Sequence, residues 1–418
     1  MHEGDGLMTE RLNVYLNGRM AGALDWDNAL DVFSFRYLPA YLDMDGAIPI
    51  SRSLPLKDVP FGALESRTFF ENLLPPEVVR RRLEKILHHD YRNTFAFLKE
   101  LGGDCAGAIS LYPDGVEPGK GEDVLRELTE DEADDVLTSL PSRPLLQGKV
   151  DGYRISVAGA QDKLVARLRG GAILLPLYGA ASTHIIKPQM AICSDAVENE
   201  CFCQRLARRL GLDAAKASIL DVKEKPYYVS ERYDRKPEGN TVRRLLQEDF
   251  CQAMGVPSEE KYESDGGPSA VRCLLFLRNG GFGFSEMSKF IDAMVFNFLI
   301  GNADAHAKNF SFLYDGGKAV LSPLYDLLST AVYPNLSSRM AMSIGGVWEF
   351  AEVSMKSFDA FAVKCDVNPK FVRGRIDRLL SVLPAAMKDV AEELSDGGHH
   401  SPVFGNVIEL AQRHMDQL

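Results

Sequence analysis

The passage from Phe290 to Asp326 constrains this 418-residue chain more than any other. An apolar helical pattern, Phe290 to Ile300, runs directly into the polar loop Gly301-Asn302-Ala303-Asp304-Ala305-His306-Ala307-Lys308-Asn309. A strand pattern follows from Phe310 to Tyr314, then the turn Asp315-Gly316-Gly317, then a returning strand that ends Leu321-Ser322-Pro323-Leu324-Tyr325-Asp326. Carboxylates, an amide and an imidazole therefore sit on a short loop and hairpin whose base is a buried helix. Polar groups on a loop carried by a rigid element are the usual arrangement of a working site.

Asp304 and Asn309 stand five positions apart, the interval at which protein kinases place a proton-accepting Asp and a metal-holding Asn. Asp326 closes the hairpin, where it can meet Asn309. A hard cation such as magnesium (Mg2+) is satisfied by one carboxylate, one amide oxygen and the phosphates of ATP. Spacing alone fits many surface loops, so the upstream pattern matters.

From Tyr153 onward the chain reads as strand, turn, strand: Ile155 to Val157, Leu164 to Leu168, Ile173 to Leu177, and His184 to Lys187. The loop between the first two holds Ala158, Gly159, Ala160, Gln161, Asp162 and Lys163. Its small residues let backbone N–H groups approach phosphate oxygens, although an ordinary hairpin has the same composition. Lys187 ends an apolar strand, where a kinase places the lysine that meets the α/β phosphates. Its carboxylate partner would come from the next helix, with Glu200 the natural candidate and Glu198 the alternative. That helix is capped by Ser194 or Asp195, carries Cys203, Leu206, Ala207 and Leu210 at helical spacing, and ends at Gly211. Strands Ala217 to Val222 and Tyr227 to Glu231 come next. Glu231, Arg232 and Tyr233 then leave the sheet where a hinge would meet adenine, although their residue types alone describe a plain strand end.

Ahead of this region, Leu12 to Leu24 reads as two strands around an Asn17-Gly18 turn. Pro75 to Leu87 reads as a helix with Val78, Leu83 and Ile86 facing the core. Val116 to Asp135 is a Gly- and acid-rich linker, and Thr129 with Glu132 forms a capping box for a helix to about Leu140. The segments expected are 1–115, a small α/β subdomain; 116–149, a linker and connecting helix; 150–235, a sheet lobe with the phosphate loop; and 236–418, a helical lobe with the catalytic loop. The fold class is α+β: a two-lobed protein-kinase-like fold with an additional N-terminal subdomain and an all-helical C-terminal lobe.

A net charge of -12 argues against a chain that coats nucleic acid by itself. The basic runs Arg80-Arg81-Arg82, Arg208-Arg209 and Arg243-Arg244 read as solvated helix faces. Seven cysteines make no disulfide framework in a chain of this size, and the opening residues carry no secretory leader pattern, so a reducing cytoplasm is expected. No apolar run approaches the roughly 20 residues of a membrane-spanning helix.

The strings VAGAQDK, STHIIKP, ERYDR, LLQEDFCQ, KYESDGGPS, GNADAHAKN and PLYD, in that order, resemble the HipA family of serine/threonine kinase toxins. The resemblance is strong over residues 150–330 and reaches the N-terminal unit through LNVYLNGRMAG. It implies ATP and magnesium as cofactors, phosphorylation of a serine in a cellular protein, and inhibition of growth or translation with promotion of persistence. It further implies a HipB-like helix-turn-helix antitoxin as partner, operator DNA reached mainly through that antitoxin, and an aminoacyl-tRNA synthetase as the first candidate substrate. Carried over by motif, Asp304 is the catalytic base and Asn309 and Asp326 hold the metal. Nucleotide contacts fall to Ala158–Lys163, Lys187, Glu231, Arg232, Tyr233, His306, Ala307, Lys308, Asn309, Tyr325 and Asp326. Ser156 matches the regulatory autophosphorylation serine, and Ala305 stands where a glycine would be expected. A small-molecule phosphotransferase and a non-catalytic nucleotide-binding regulator are the alternative readings.

Overall fold

At Asn17 and Gly18 the backbone takes φ of 51° and 73°, the left-handed pair that a two-residue hairpin turn requires, and Leu16 faces Arg19 across it. The expected hairpin thus joins β1 (Thr9–Leu16) to β2 (Arg19–Asp27). With β3 (Val32–Tyr37) and β4 (Ile109–Pro113) they form an antiparallel sheet in the order β3-β2-β1-β4. This computed structural model describes residues 9–118, 123–147, 150–239 and 241–418. The chain divides into two units, Met1–His184 with Asp234–Ser258, and Ile185–Tyr233 with Glu259–Leu418.

In the first unit the sheet is covered by aromatic side chains. Phe35 lies between Phe61 and Phe70, ring centroids 5.9 and 5.4 Å away, and Trp26 stacks on Phe95 at 5.1 Å. The helix Glu77–Leu87 buries Val79 and Leu83, and Val78 is 58% exposed. Of the three residues expected to face the core, Leu83 is buried, Ile86 is half-buried and only Val78 is misplaced, because Val79 shares the face of Leu83 four residues on. The Arg80-Arg81-Arg82 run also departs from a solvated face, because the buried Arg80 pairs with Glu71 at 2.9 Å. The Thr129 capping box is realised: Thr129 Oγ1 accepts from Glu132 N at 3.3 Å, and the Glu132 carboxylate accepts from Thr129 N at 3.0 Å.

Just before that box lies β5 (Val124–Glu127), and after it come β6 (Leu164–Arg169) and β7 (Ala172–Leu177), paired in the order β5-β7-β6. The four-residue β5 sits in the expected linker, since it is too short to show a period in sequence. Ile155 to Val157 is not a strand. Only Ile155 makes an isolated bridge, to Asp104, because this stretch bonds to a turn: Asp104 N donates to Arg154 O at 2.9 Å and Ser156 N to Asp104 O at 3.1 Å.

The second unit begins within β8 (His184–Lys187) and adds β9 (Ala217–Val222) and β10 (Lys225–Glu231), ordered β8-β10-β9. Between β8 and β9 runs the helix Ala196–Arg209, with Asp195 as cap and Gly211, at φ 76°, just past its end. Phe202 of that helix stacks on Phe404 of the helix Pro402–Asp416 at 5.3 Å. The helix Phe284–Leu299 buries Asp292 against Arg375 and Arg378 of the long helix Pro369–Asp396. Besides the expected hairpin Ser311–Asp315 with Lys318–Leu321, the helical part contains a second, Arg339–Ile344 with Val347–Glu349. It turns at Gly345 and Gly346, both at positive φ. That Gly-Gly pair was the sequence signal for it.

Candidate active site

Lys187 is the last residue of β8 and is only 7% exposed. Its ammonium Nζ donates to Glu200 Oε1 at 2.6 Å and to Asp326 Oδ1 at 2.7 Å. Glu198 instead accepts from Gln189 Nε2 at 2.7 Å; residues two apart on a helix project to different faces. Of the two candidates, Glu200 is the partner. Burial works against the Lys187 charge, but Asp326 and Glu200 outweigh it and hold the pKa above that of free lysine. Asp326 itself takes φ of 57°, a left-handed conformation that Asp tolerates better than most residues. Strained backbone of this kind gathers at functional positions.

The loop 301–309 is braced from several sides. Gly301 has φ of 69°, and a Cβ there would approach Leu410 Cδ2 to 2.6 Å and Ala331 Cβ to 3.0 Å, so a larger residue would be strained and would displace the Leu410 side chain. Asn302 donates through Nδ2 to Asn297 Oδ1 at 2.7 Å and accepts at Oδ1 from Asp304 N at 3.1 Å. Ala303 N donates to Thr330 Oγ1 at 2.7 Å. Asn309 Nδ2 donates to Asp304 O at 3.2 Å, and Asn309 N to His306 O at 2.9 Å. Ala305 is absent from the positive-φ residues, so the loop closes without the expected glycine.

Asp304 is an exposed residue, yet enough protein surrounds its carboxyl that desolvation raises its pKa. The Tyr262 hydroxyl, which donates to Asp304 Oδ1 at 2.7 Å, and the Lys261 charge oppose that rise, and Asp326 adds to it. Lys261 Nζ lies 2.9 Å from His306 Nε2. Because an ammonium only donates, Nε2 accepts and the proton is assigned to Nδ1. Burial first and the Lys261 charge second push the His306 pKa down to about 3, so the ring is neutral. Its Nδ1 has no hydrogen-bond partner among the described residues. Tyr325 ties the hairpin to the loop, with its Oη donating to Lys308 O at 2.6 Å and lying 2.7 Å from Ser311 Oγ.

The structure therefore gathers Lys187, Glu200, Asp304, His306, Ala307, Lys308, Asn309, Tyr325 and Asp326 in the second unit. Tyr233 joins them, its ring 5.5 Å from that of Tyr325. Of the other two strand-end residues, Glu231 pairs with the exposed Lys216 at 3.0 Å and Arg232 is buried. Lys261 and Tyr262 were not anticipated as site residues. Their only signal was the string KYESDGGPS, which assigns no role to either side chain.

Ser156 and Ala158–Lys163 belong to the first unit. Ser156 is completely buried, and its Oγ donates to Leu73 O at 2.6 Å. Lys163 Nζ folds back to Ala158 O at 2.6 Å, past Gly159, whose φ is 106°. The N–H groups of Ala158, Gly159, Ala160, Gln161 and Asp162 have no acceptor among the described residues.

A sheet strand ending in a paired lysine, and a polar loop seated on a buried helix, put the chain in the class of α+β proteins with a kinase-like fold. Residues 155–387 match the HipA-like C-terminal domain and residues 12–112 the HipA N-terminal domain, so the chain belongs to the HipA family. A putative kinase of Sinorhizobium fredii, Y4mE, is 42% identical across 93% of this chain and 94% of its own. The serine/threonine-protein kinase toxin HipA of Shewanella oneidensis is 29% identical across 91% of this chain and 89% of its own. The solved HipA from the S. oneidensis MR-1 toxin–antitoxin complex with HipB and operator DNA superposes with a TM-score of 0.84. It is 26% identical and covers 97% of this chain and 96% of its own.

Proposed function

We propose that this chain is an ATP- and magnesium-dependent protein serine/threonine kinase and the toxin of a HipBA-type pair. It acts in the cytoplasm on a cellular protein, with an aminoacyl-tRNA synthetase as first candidate, and so inhibits growth or translation and promotes persistence. A HipB-like helix-turn-helix antitoxin is its partner and its route to operator DNA. The observation that carries this reading is the buried Lys187 held between Glu200 and Asp326, with Asp304 and Asn309 on the adjoining loop. The names of the relatives support it.

Asp304 is the proton acceptor of this reading. Burial raises the pKa of this carboxylate, and a carboxylate of raised pKa is, when ionised, the stronger base for a substrate hydroxyl. Asn309 spends its Nδ2 on Asp304 O, which leaves its carbonyl oxygen for a hard cation, and Asp326 offers a carboxylate. This donor set fits magnesium. The metal, when bound, neutralises phosphate charge. Lys187 supplies a fixed positive charge for phosphate oxygens, His306 an uncommitted Nδ1–H donor, and Ala158–Asp162 five uncommitted backbone donors.

Asp304→Asn removes the proton acceptor without removing volume. Phosphoryl transfer should fall by about two to four orders of magnitude, with ATP binding and melting temperature preserved. Phosphoproteomes of cells making the wild-type chain or this variant identify the protein substrate by difference. Near wild-type transfer by the variant would remove Asp304 from its role. Transfer to metabolites alone would favour a small-molecule phosphotransferase, and ATP binding without transfer a regulator.

A further inference from the structure

Arg82 lies on the helix Glu77–Leu87 and reaches Asp162, near the end of the loop Ala158–Lys163. Its Nη1 donates to Asp162 Oδ2 at 3.2 Å, and Nη2 lies 2.8 Å from Oδ1, an ion-pair contact in which Oδ1 accepts no hydrogen bond. Nη1 also donates to Pro141 O at 3.3 Å. The entry to the loop is held by the same part of the chain: Ser156 bonds to Asp104 and Leu73, and Arg154 Nε donates to Glu100 O at 3.2 Å. Between these anchors run the five N–H groups without acceptors.

Consecutive N–H groups make an anion cradle only while the backbone keeps one shape. A loop that must be ordered as the ligand arrives gives up affinity to its own entropy. We propose that Arg82 is a positioning residue for nucleotide binding: by fixing Asp162 it holds the phosphate loop in its binding shape. A side chain within the N-terminal family domain thereby tunes a loop of the C-terminal one. This rests on the reading of Ala158–Lys163 as the contact for ATP phosphates. Nη1 is shared between the Asp162 carboxylate and Pro141 O while Nη2 keeps its charge beside Oδ1, and a single ammonium cannot put two nitrogens there, so lysine is a poor replacement.

One substitution separates positioning from simple charge. Asp162→Asn removes a negative charge beside the loop, which by Coulomb attraction alone would tighten the binding of an anion. Positioning demands the opposite. Titration calorimetry of the full chain with magnesium-ATP should show the Kd raised about two- to fivefold in Asp162→Asn and in Arg82→Met, the range of a partly exposed ion pair. The double variant should bind no more weakly than the weaker single one, and Arg82→Lys should recover little. Unchanged or tighter binding in Asp162→Asn, at a wild-type melting temperature, overturns the proposal. Additive losses in the double variant overturn it as well. A wild-type chain that binds no ATP removes the nucleotide reading itself, and the role of Arg82 with it.

Discussion

A buried ammonium shared by two carboxylates depends on both. Taking one partner from such a group leaves an uncompensated charge, at a cost of about 3–5 kcal/mol when the pair is fully buried. Glu200 is buried and Asp326 is 44% exposed at its side chain, so the two sides are unequal. Glu200 anchors Lys187, and Asp326 is the partner that can turn to a metal. Asp326→Asn and Asn309→Ala should therefore each weaken the magnesium dependence of ATP binding by at least about tenfold, since even outer-shell partners are worth that much at metal sites. Calorimetry with and without magnesium checks this, and unchanged affinity in both variants would show that the metal site lies elsewhere. The sequence carried the lysine, the loop and the hairpin carboxylate, but not the choice between Glu198 and Glu200. That choice depends on the rotation of the helix about its axis, which no local pattern fixes.

The segment around Ser156 was read as a strand, and its periodicity permits one. The backbone goes to Asp104 instead, a residue 52 positions earlier, and no local pattern contains that partner. The Arg82 ion pair with Asp162 and the Tyr262 contact to Asp304 were hidden for the same reason: they are long-range pairings. Elements with strong local signals, such as the Asn17-Gly18 hairpin, the Thr129 capping box and β8, were legible almost residue by residue. The burial of Ser156 also sharpens the expected switch. Its hydroxyl donates to the Leu73 carbonyl in a site closed to water, and a phosphate would destroy that donor and add about 1.5 to 2 negative charges. A charge of that size is not tolerated unpaired in an apolar interior, so the segment must leave and the adjoining loop must move with it. Mass spectrometry after incubation with magnesium-ATP should find phosphate on Ser156, and the modified protein should bind ATP at least about tenfold more weakly, a difference of 1.4 kcal/mol or more. Undiminished binding by fully modified protein would sink the switch.

Across the whole molecule, the family was legible because seven short strings kept their order over nearly half the chain. The packing units were not, because Asp234–Ser258 returns to the first unit after the chain has entered the second. The cysteines acquire a use from this division. All seven are buried and none is in a disulfide; Cys105 and Cys251 fall in the first unit, and Cys193, Cys201, Cys203, Cys273 and Cys365 in the second. Burial pushes the thiols of Cys201, Cys203 and Cys365 up to about 12, so even at mildly alkaline pH they present almost no thiolate to an alkylating reagent. Each label that appears on the native protein therefore marks an opening event, and its position tells which unit breathed. Pulse alkylation read by peptide mass spectrometry should leave all seven unlabelled at short times. Magnesium-ATP should then slow labelling of Cys201 and Cys203, which share a helix with Glu200, more than that of Cys365. Equal protection at all three would mean that the nucleotide does not stabilise that helix in particular.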